Sequence, residues 1–198
     1  MYNAGFNVLG LMSGTSLDGM DAALVTFNPE DSRDWELRWV QFYPYPRELK
    51  ELAKQTFKQG KKSPAFDQAF AKWTIACVRF FSQEHDFDIH LIGHHGQTIF
   101  HNPPKKFTYQ AGCLPAIAKD LGIPIVTNFR VQDVLLGGQG APLVPMGDHL
   151  MFGKYECCLN VGGFANYSFG KPLLSEGIAE ARDICPVNAV LNKQAEYL

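Results

Sequence analysis

The sequence predicts a mixed α/β protein, one lobe built on a mixed sheet followed by the start of a second, similar lobe. Three observations predict it. Two apolar runs, 8–12 and 22–25, flank SGTSLDG (13–19), a turn of small and polar residues, which is the pattern of a β-hairpin. Later strand-like stretches alternate with helical periodicities, the order of mixed α/β layers. A second strand, glycine turn and strand, around Gly162 and Gly163, repeats the opening architecture at 157–169.

Each element has a local reason. Residues 35–43 are aromatic and β-branched, as in a third strand, and Pro44 and Pro46 end it. From Arg47 to Gln59, Leu49, Leu52, Ala53 and Phe57 recur on one helical face, and Gly60 stops the helix. Ser63 and Pro64 are the N-cap and first position of a further helix whose stripe of Phe66, Phe70, Trp73, Cys77 and Phe81 reads as core. A short strand, 88–93, is expected to carry the polar run HHGQT (94–98) at its C-terminal end, where open α/β sheets collect ligands. A strand at 107–110, a helix at 114–120 closed by Gly122, and a β-branched strand at 123–127 complete the first unit. The GGQGAP stretch, 137–142, cannot continue a regular element and marks a boundary, followed by a short helix at 147–152. The expected division is therefore a first lobe at 1–140, a crossover at 141–154 and the beginning of a second lobe at 155–198.

Composition narrows the function. With 198 residues, 46% of them hydrophobic, the chain can bury one ordinary core. A net charge of −2, with basic pairs only at Lys61-Lys62 and Lys105-Lys106, offers no field for nucleic acid. No stretch of 18 uninterrupted apolar residues or signal-like N-terminus is present, so a cytoplasmic protein without membrane attachment is expected. Five cysteines without a CxxC pair suit a reducing compartment, and the adjacent Cys157 and Cys158 are expected on opposite faces of a strand.

Three groups of residues carry possible chemistry. In the first turn, Ser13, Gly14, Thr15, Ser16 and Gly19 leave backbone N–H groups and hydroxyls free to converge on an anion, and Asp18 is placed to hold Mg²⁺, usually through water. Most turns of this composition are only turns, and the turn contains no lysine and matches neither GxxxxGK[ST] nor GxGxxG. In the second group, strand alternation puts His95 and Gln97 on one face, next to Thr98, a set suited to sugar hydroxyls; the plain alternative is a histidine that satisfies a nearby carbonyl. In the third, Arg130 and Asp133 follow the strand ending at Thr127, as a fork for a carboxylate or phosphate or as an ion pair that holds its own loop.

MSGTSLDGMDAALV (12–25) resembles the first phosphate motif of the anhydro-N-acetylmuramic acid kinases, a branch of the sugar kinase, Hsp70 and actin superfamily. Similar blocks follow in the family's order at GHHGQTIFH (93–101), NFRVQDVLLGGQGAPLVP (128–145), LNVGGFANYSF (159–169) and DICPVN (183–188), covering the N-terminal half of the family's length or slightly more. The resemblance implies an actin-like ATPase (ribonuclease H-like) lobe. It further implies ATP and Mg²⁺ as cofactors, an amino-sugar substrate, a homodimer in the complete protein and a role in peptidoglycan recycling. ATP binding is carried over to Gly14, Thr15, Ser16, Asp18 and Gly19, with Gly162 and Gly163 as the second phosphate loop, and sugar binding to His95, Gln97, Thr98, Arg130 and Asp133. Asp183 matches the family's proposed general base, which activates a water to open the 1,6-anhydro bridge while the freed sixth oxygen takes the γ-phosphate.

Departures from the family's pattern stand out at four positions. The family commonly reads DTGPGN where this chain has Cys185 and Val187 in place of both glycines, and His94 and Cys113 replace a small residue and an acidic one. Two other functions compete with the implied one. A related kinase would phosphorylate a simple hydroxyl, and a non-catalytic module would bind sugar or nucleotide without turnover.

Overall fold

The computed structural model describes residues 5–14, 16–170 and 180–195. The opening hairpin forms as expected: β1 (Phe6–Ser13) and β2 (Gly19–Asn28) pair antiparallel, and β3 (Asp31–Pro44) extends the meander along β2. Two helices follow, α1 (Arg47–Gln59) and α2 (Pro64–Glu84). Gly60 closes α1 in the left-handed region at φ 63, where a side chain would be strained. Ser63 caps α2 by accepting from the Phe66 N–H at 3.2 Å.

The strand expected to stop before the polar run does not stop. β4 runs from Leu91 to Asn102 with HHGQT inside it, because β5 (Phe107–Ala111) pairs antiparallel with its second half. Its first half is flanked on both sides by parallel neighbours, β1 and β6 (Ile125–Thr127), β6 being reached through α3 (Pro115–Leu121). Among the described residues the first sheet thus has six strands in the order β3-β2-β1-β4-β5, with β6 also on β4. With its covering helices it forms an actin-like ATPase-type lobe.

One face of this sheet packs on α2. Leu9, Leu11, Met20, Ala22, Leu24 and Ile92 meet Cys77, Val78 and Phe81, and a second cluster joins Tyr45, Leu49, Phe66, Phe70, Ile99 and Tyr109. Each fully buried large side chain contributes about 1.5–3 kcal/mol relative to exposure, so the aromatic stripe of α2 is a main source of stability.

A short helix α4 (Val131–Leu135), not anticipated, follows β6; α5 (Val144–Phe152) begins three residues earlier than expected, with Pro145 in its first turn. A second sheet of β7 (Cys157–Val161), β8 (Phe164–Phe169) and β9 (Glu180–Pro186) is antiparallel throughout, and α6 (Asn188–Ala195) ends the described chain. Neither β9 nor α6 is signalled by periodicity. α5 touches both sheets: the Trp35 indole N–H donates to the Met151 carbonyl at 3.5 Å, and the Ser168 hydroxyl donates to the buried Asp148 carboxylate at 2.7 Å. Cys157 and Cys158 lie opposite Phe169 and Ser168, consecutive register positions and therefore opposite faces. Among the described residues no helix is long and apolar enough to cross a membrane.

Candidate functional site

Three parallel strands bring the site together. β1, β4 and β6 run in one direction, with Leu11 and Thr127 on either side of His94, so the segments leaving them emerge along the same edge of the sheet. From β1 comes the turn at Gly14; from β4, the pair His95 and Gln97; from β6, the bend through Asn128 to Arg130. Ligands collect at this edge of open α/β sheets, where the connecting loops diverge.

The turn is held from below. Gln97, fully buried, donates its amide to the Gly14 carbonyl at 3.0 Å and accepts the Tyr45 hydroxyl at 2.6 Å, while the Tyr45 N–H binds the Asp18 carbonyl at 3.0 Å. Tyr45, at the edge of the core, therefore grips both ends of the turn, and burial raises its phenol well above the ordinary range. Within the turn the Asp18 carboxylate accepts the Ser16 hydroxyl at 2.5 Å and the Gly19 N–H at 3.0 Å. Leu17 takes a left-handed φ of 54, uncommon for a branched side chain, and its side chain packs against the aromatic cluster beneath. Gly19 has no room for a β-carbon, which would run into the Tyr43 carbonyl and the Phe42 ring. Thr15 lies outside the described residues.

A second carboxylate, Asp21, reaches this turn, and sequence reasoning missed it. Partial burial and the nearby Asp18 charge push its pKa up. Asp18 and Asp21, neighbouring carboxylates beside the turn, offer oxygens suited to a cation. Among the described residues no three His, Cys, Asp or Glu side chains gather around a common point, so a metal here would complete its shell with phosphate oxygens and water, the usual arrangement for Mg²⁺.

The alternation expected to put His95 and Gln97 on one face is broken. Between Leu11/His94 and Ser13/Gln97 the register shifts by one residue, a β-bulge centred on Gly96 at φ 72. A β-carbon on Gly96 would stand 2.6 Å from the Cys113 sulfur and 2.7 Å from the Ala111 carbonyl. The bulge turns Gln97 toward Tyr45 and His95 toward Arg130. His94, wholly buried, stacks on Phe70 with ring centroids 6.0 Å apart, and neither ring nitrogen makes a hydrogen bond among the described residues. Burial first, then the neighbouring His95, push its pKa down to about 4, opposed by the backbone at Gly112. Thr98 accepts the Gln110 amide at 3.4 Å.

Beside them the loop from β6 folds back on itself. Arg130 donates its Nε–H to His95 Nε2 at 3.0 Å and an Nη1–H to the Gly140 carbonyl at 2.6 Å. Asp133 accepts the Gly140 N–H at 2.6 Å. The ion pair considered as a loop brace is not formed; each side chain instead holds one side of the Gly140 residue. Burial and the Arg130 charge push the His95 pKa down to about 4, and burial lowers that of Arg130.

The remaining residues belong to the second sheet. Gly162 and Gly163 form the β7–β8 turn, and their carbonyls accept the Asn188 and Val187 N–H groups at 3.2 and 2.9 Å. Asp183 on β9 is exposed and stands opposite Asn166, which itself stands opposite Asn160, so three polar residues share one row of the sheet. Neither Cys185 nor Val187 is in the left-handed region, so the backbone here does not require the family's glycines. Among the described residues no hydrogen bond joins Asp183, Gly162 or Gly163 to the network around Gly14 and Arg130.

A family model described as anhydro-N-acetylmuramic acid kinase matches residues 6–197. Proteins of that name from Acaryochloris marina, Haemophilus influenzae and Salinibacter ruber are 39%, 36% and 36% identical to this chain. The alignments cover 84%, 95% and 96% of this chain, and 47%, 50% and 53% of those proteins. The chain therefore spans about half the length of the curated relatives it matches.

Proposed function

The chain belongs to the anhydro-N-acetylmuramic acid kinase family, and from that membership we propose that it supplies the phosphate turn, the sugar-binding edge and the base of an ATP-dependent sugar kinase. The reaction would add water to 1,6-anhydro-N-acetylmuramic acid and pass the γ-phosphate of ATP to its sixth oxygen, giving N-acetylmuramic acid 6-phosphate and ADP. The observation that carries the reading is the alignment of β1, β4 and β6, which sets a braced phosphate turn and a part-buried arginine along one edge.

Phosphoryl transfer asks mainly for positioning and for donors around charge. The N–H groups and hydroxyls at Gly14, Thr15, Ser16 and Gly19 would hold the terminal phosphates, and Gly162 and Gly163 would close on them from the second sheet. Asp18, with Asp21 beside it, would hold Mg²⁺, which supplies charge neutralisation at the phosphates when bound. Arg130, Asp133 and Thr98 would form the sugar side, Arg130 facing the lactyl carboxylate, and the buried His95 and Gln97 would serve it from beneath, His95 through Arg130 and Gln97 through the Gly14 turn. Asp183 would take the proton of the water that adds to the anomeric carbon, and the bond that breaks there leaves the sixth oxygen free to receive phosphate. The setting would be cytoplasmic recycling of peptidoglycan, with a homodimer as the complete form.

Amide-resolved NMR of this chain tests the placement. A non-hydrolysable ATP analogue with MgCl₂ is expected to shift Gly14, Ser16 and Gly19, and N-acetylmuramic acid to shift His95 and Arg130. Shifts confined to other regions would refute it. Coupled ADP release with the anhydro sugar, and product mass, separate this reaction from phosphorylation of a simple hydroxyl.

A further inference from the structure

Arg130 is a part-buried cation that no carboxylate neutralises among the described residues. Asp133, three positions on, spends its carboxylate on the Gly140 N–H, and Arg130 itself is bonded to an imidazole and a carbonyl, both neutral. Desolvating a guanidinium without an anion is costly, and the cost is recovered when an anion arrives. Two of its five N–H groups are engaged; the Nη2 pair makes no hydrogen bond within the described residues, and a carboxylate is the shape such an edge receives.

The imidazole beside it has one tautomer consistent with its partners. His95 Nδ1 lies 2.8 Å from the Gly96 carbonyl and must carry the proton, which leaves Nε2 as the acceptor for Arg130 Nε–H. The residue is 5% exposed, with the Cys113 thiol against its carbonyl, so its ring has little freedom to turn and little surface to offer a sugar. Its low proton affinity keeps that acceptor in place at neutral pH.

We infer that His95 is a positioning residue: as a neutral acceptor it fixes the Arg130 guanidinium for an anionic ligand group without cancelling its charge. This rests on reading Arg130 as the holder of the substrate carboxylate, and it assigns His95 a part played through Arg130 rather than by contact with sugar. Neutrality is the essential feature. A carboxylate at position 95 would bond Arg130 equally well and remove the charge that the ligand needs.

The test uses the 198-residue chain, with N-acetylmuramic acid as probe and N-acetylglucosamine, the same sugar lacking the lactyl carboxylate, as control. The Arg130 Nε–H resonance is followed by NMR and affinity by calorimetry. The wild type is expected to show a protected Nε–H and to prefer the muramic sugar. His95→Gln, which keeps a neutral acceptor, should stay within about threefold of wild-type affinity. His95→Glu, whose carboxylate reaches as far as Nε2, should keep a protected Nε–H yet lose roughly tenfold or more in affinity for the muramic sugar only, the scale of one charge-assisted hydrogen bond. His95→Phe should lose both.

An Arg130 Nε–H that stays protected in His95→Phe overturns the positioning role. So does an equal loss for both sugars in His95→Gln, which would mean that His95 touches sugar directly. A protected, His95-dependent Nε–H in a wild-type chain that binds neither sugar overturns the sugar reading of the site and the anion role together, while an intact sugar preference with unchanged affinity in His95→Glu overturns the neutrality requirement alone.

Discussion

Acid should destabilise this chain through its two adjacent buried histidines. In the folded protein His94 and His95 are each held at about 4, whereas a histidine in the unfolded chain titrates near 6.5. Between these values the unfolded chain binds more protons than the folded one, so stability rises with pH and is lost as pH falls below about 6.5 toward 4. At pH 5 each ring would have given up on the order of 2 kcal/mol relative to pH 8, and the pair up to about 4 kcal/mol, a large share of a marginal stability. The two rings disfavour each other's charge, so the loss belongs to the pair. His101, also lowered by burial and by Arg130, works in the same direction, and Asp21, raised, works against it near the acid end. Urea unfolding at pH 8, 6 and 5 measures the slope. His94→Leu assigns it: the substitution removes two buried nitrogens without partners, about 1–3 kcal/mol each, and loses a stack on Phe70 of about 0.5–1.5 kcal/mol, so stability at pH 8 should be kept or rise. The pH dependence should fall by roughly half. Equal stability at pH 8 and 5 in the wild type, or an unchanged slope in His94→Leu, would refute the reasoning.

Four further substitutions probe other parts of the structure. Gly96→Ala asks for a left-handed alanine whose β-carbon meets the Ala111 carbonyl, and should cost about 2 kcal/mol or more in chemical denaturation, with the loss of Arg130 Nε–H protection as the bulge shifts. Tyr45→Phe leaves the Gln97 carbonyl oxygen buried without its donor and should cost about 1–3 kcal/mol, while hydrogen exchange at Gly14 and Gly19 speeds up. Ser168→Ala removes the donor to the buried Asp148 carboxylate and should cost a similar 1–3 kcal/mol, seen as earlier urea unfolding. In a full-length relative carrying the same residue, replacing the equivalent of Asp183 with asparagine should slow ADP release by about 10²- to 10⁴-fold with sugar affinity kept, and a near-normal rate would remove it from the mechanism.

What could be read from the sequence was what is decided within a few residues. Gly60 and Ser63 mark helix ends because a left-handed closure and an N-cap are local events, and the α2 stripe is visible because one turn repeats every three or four residues. The hairpin turn at 13–19 was legible for the same reason. β4 was not, since its length is set by β5, which pairs from across an intervening turn, and by a bulge that a glycine permits but does not announce. The site residues divide along the same line. Gln97 reads as a ligand from its strand, yet its amide is occupied by Gly14 and Tyr45, the latter 52 positions away. His95 and Arg130, 35 positions apart, read as two independent candidates and prove to be one unit. Composition can say which side chains are able to bind a sugar or phosphate, but a side chain's availability is fixed by what the fold has already bonded to it. By that criterion the Nη2 edge of Arg130 and the Asp18–Asp21 pair, whose capacity for partners is not used up by the protein, are the places where a ligand has most to gain.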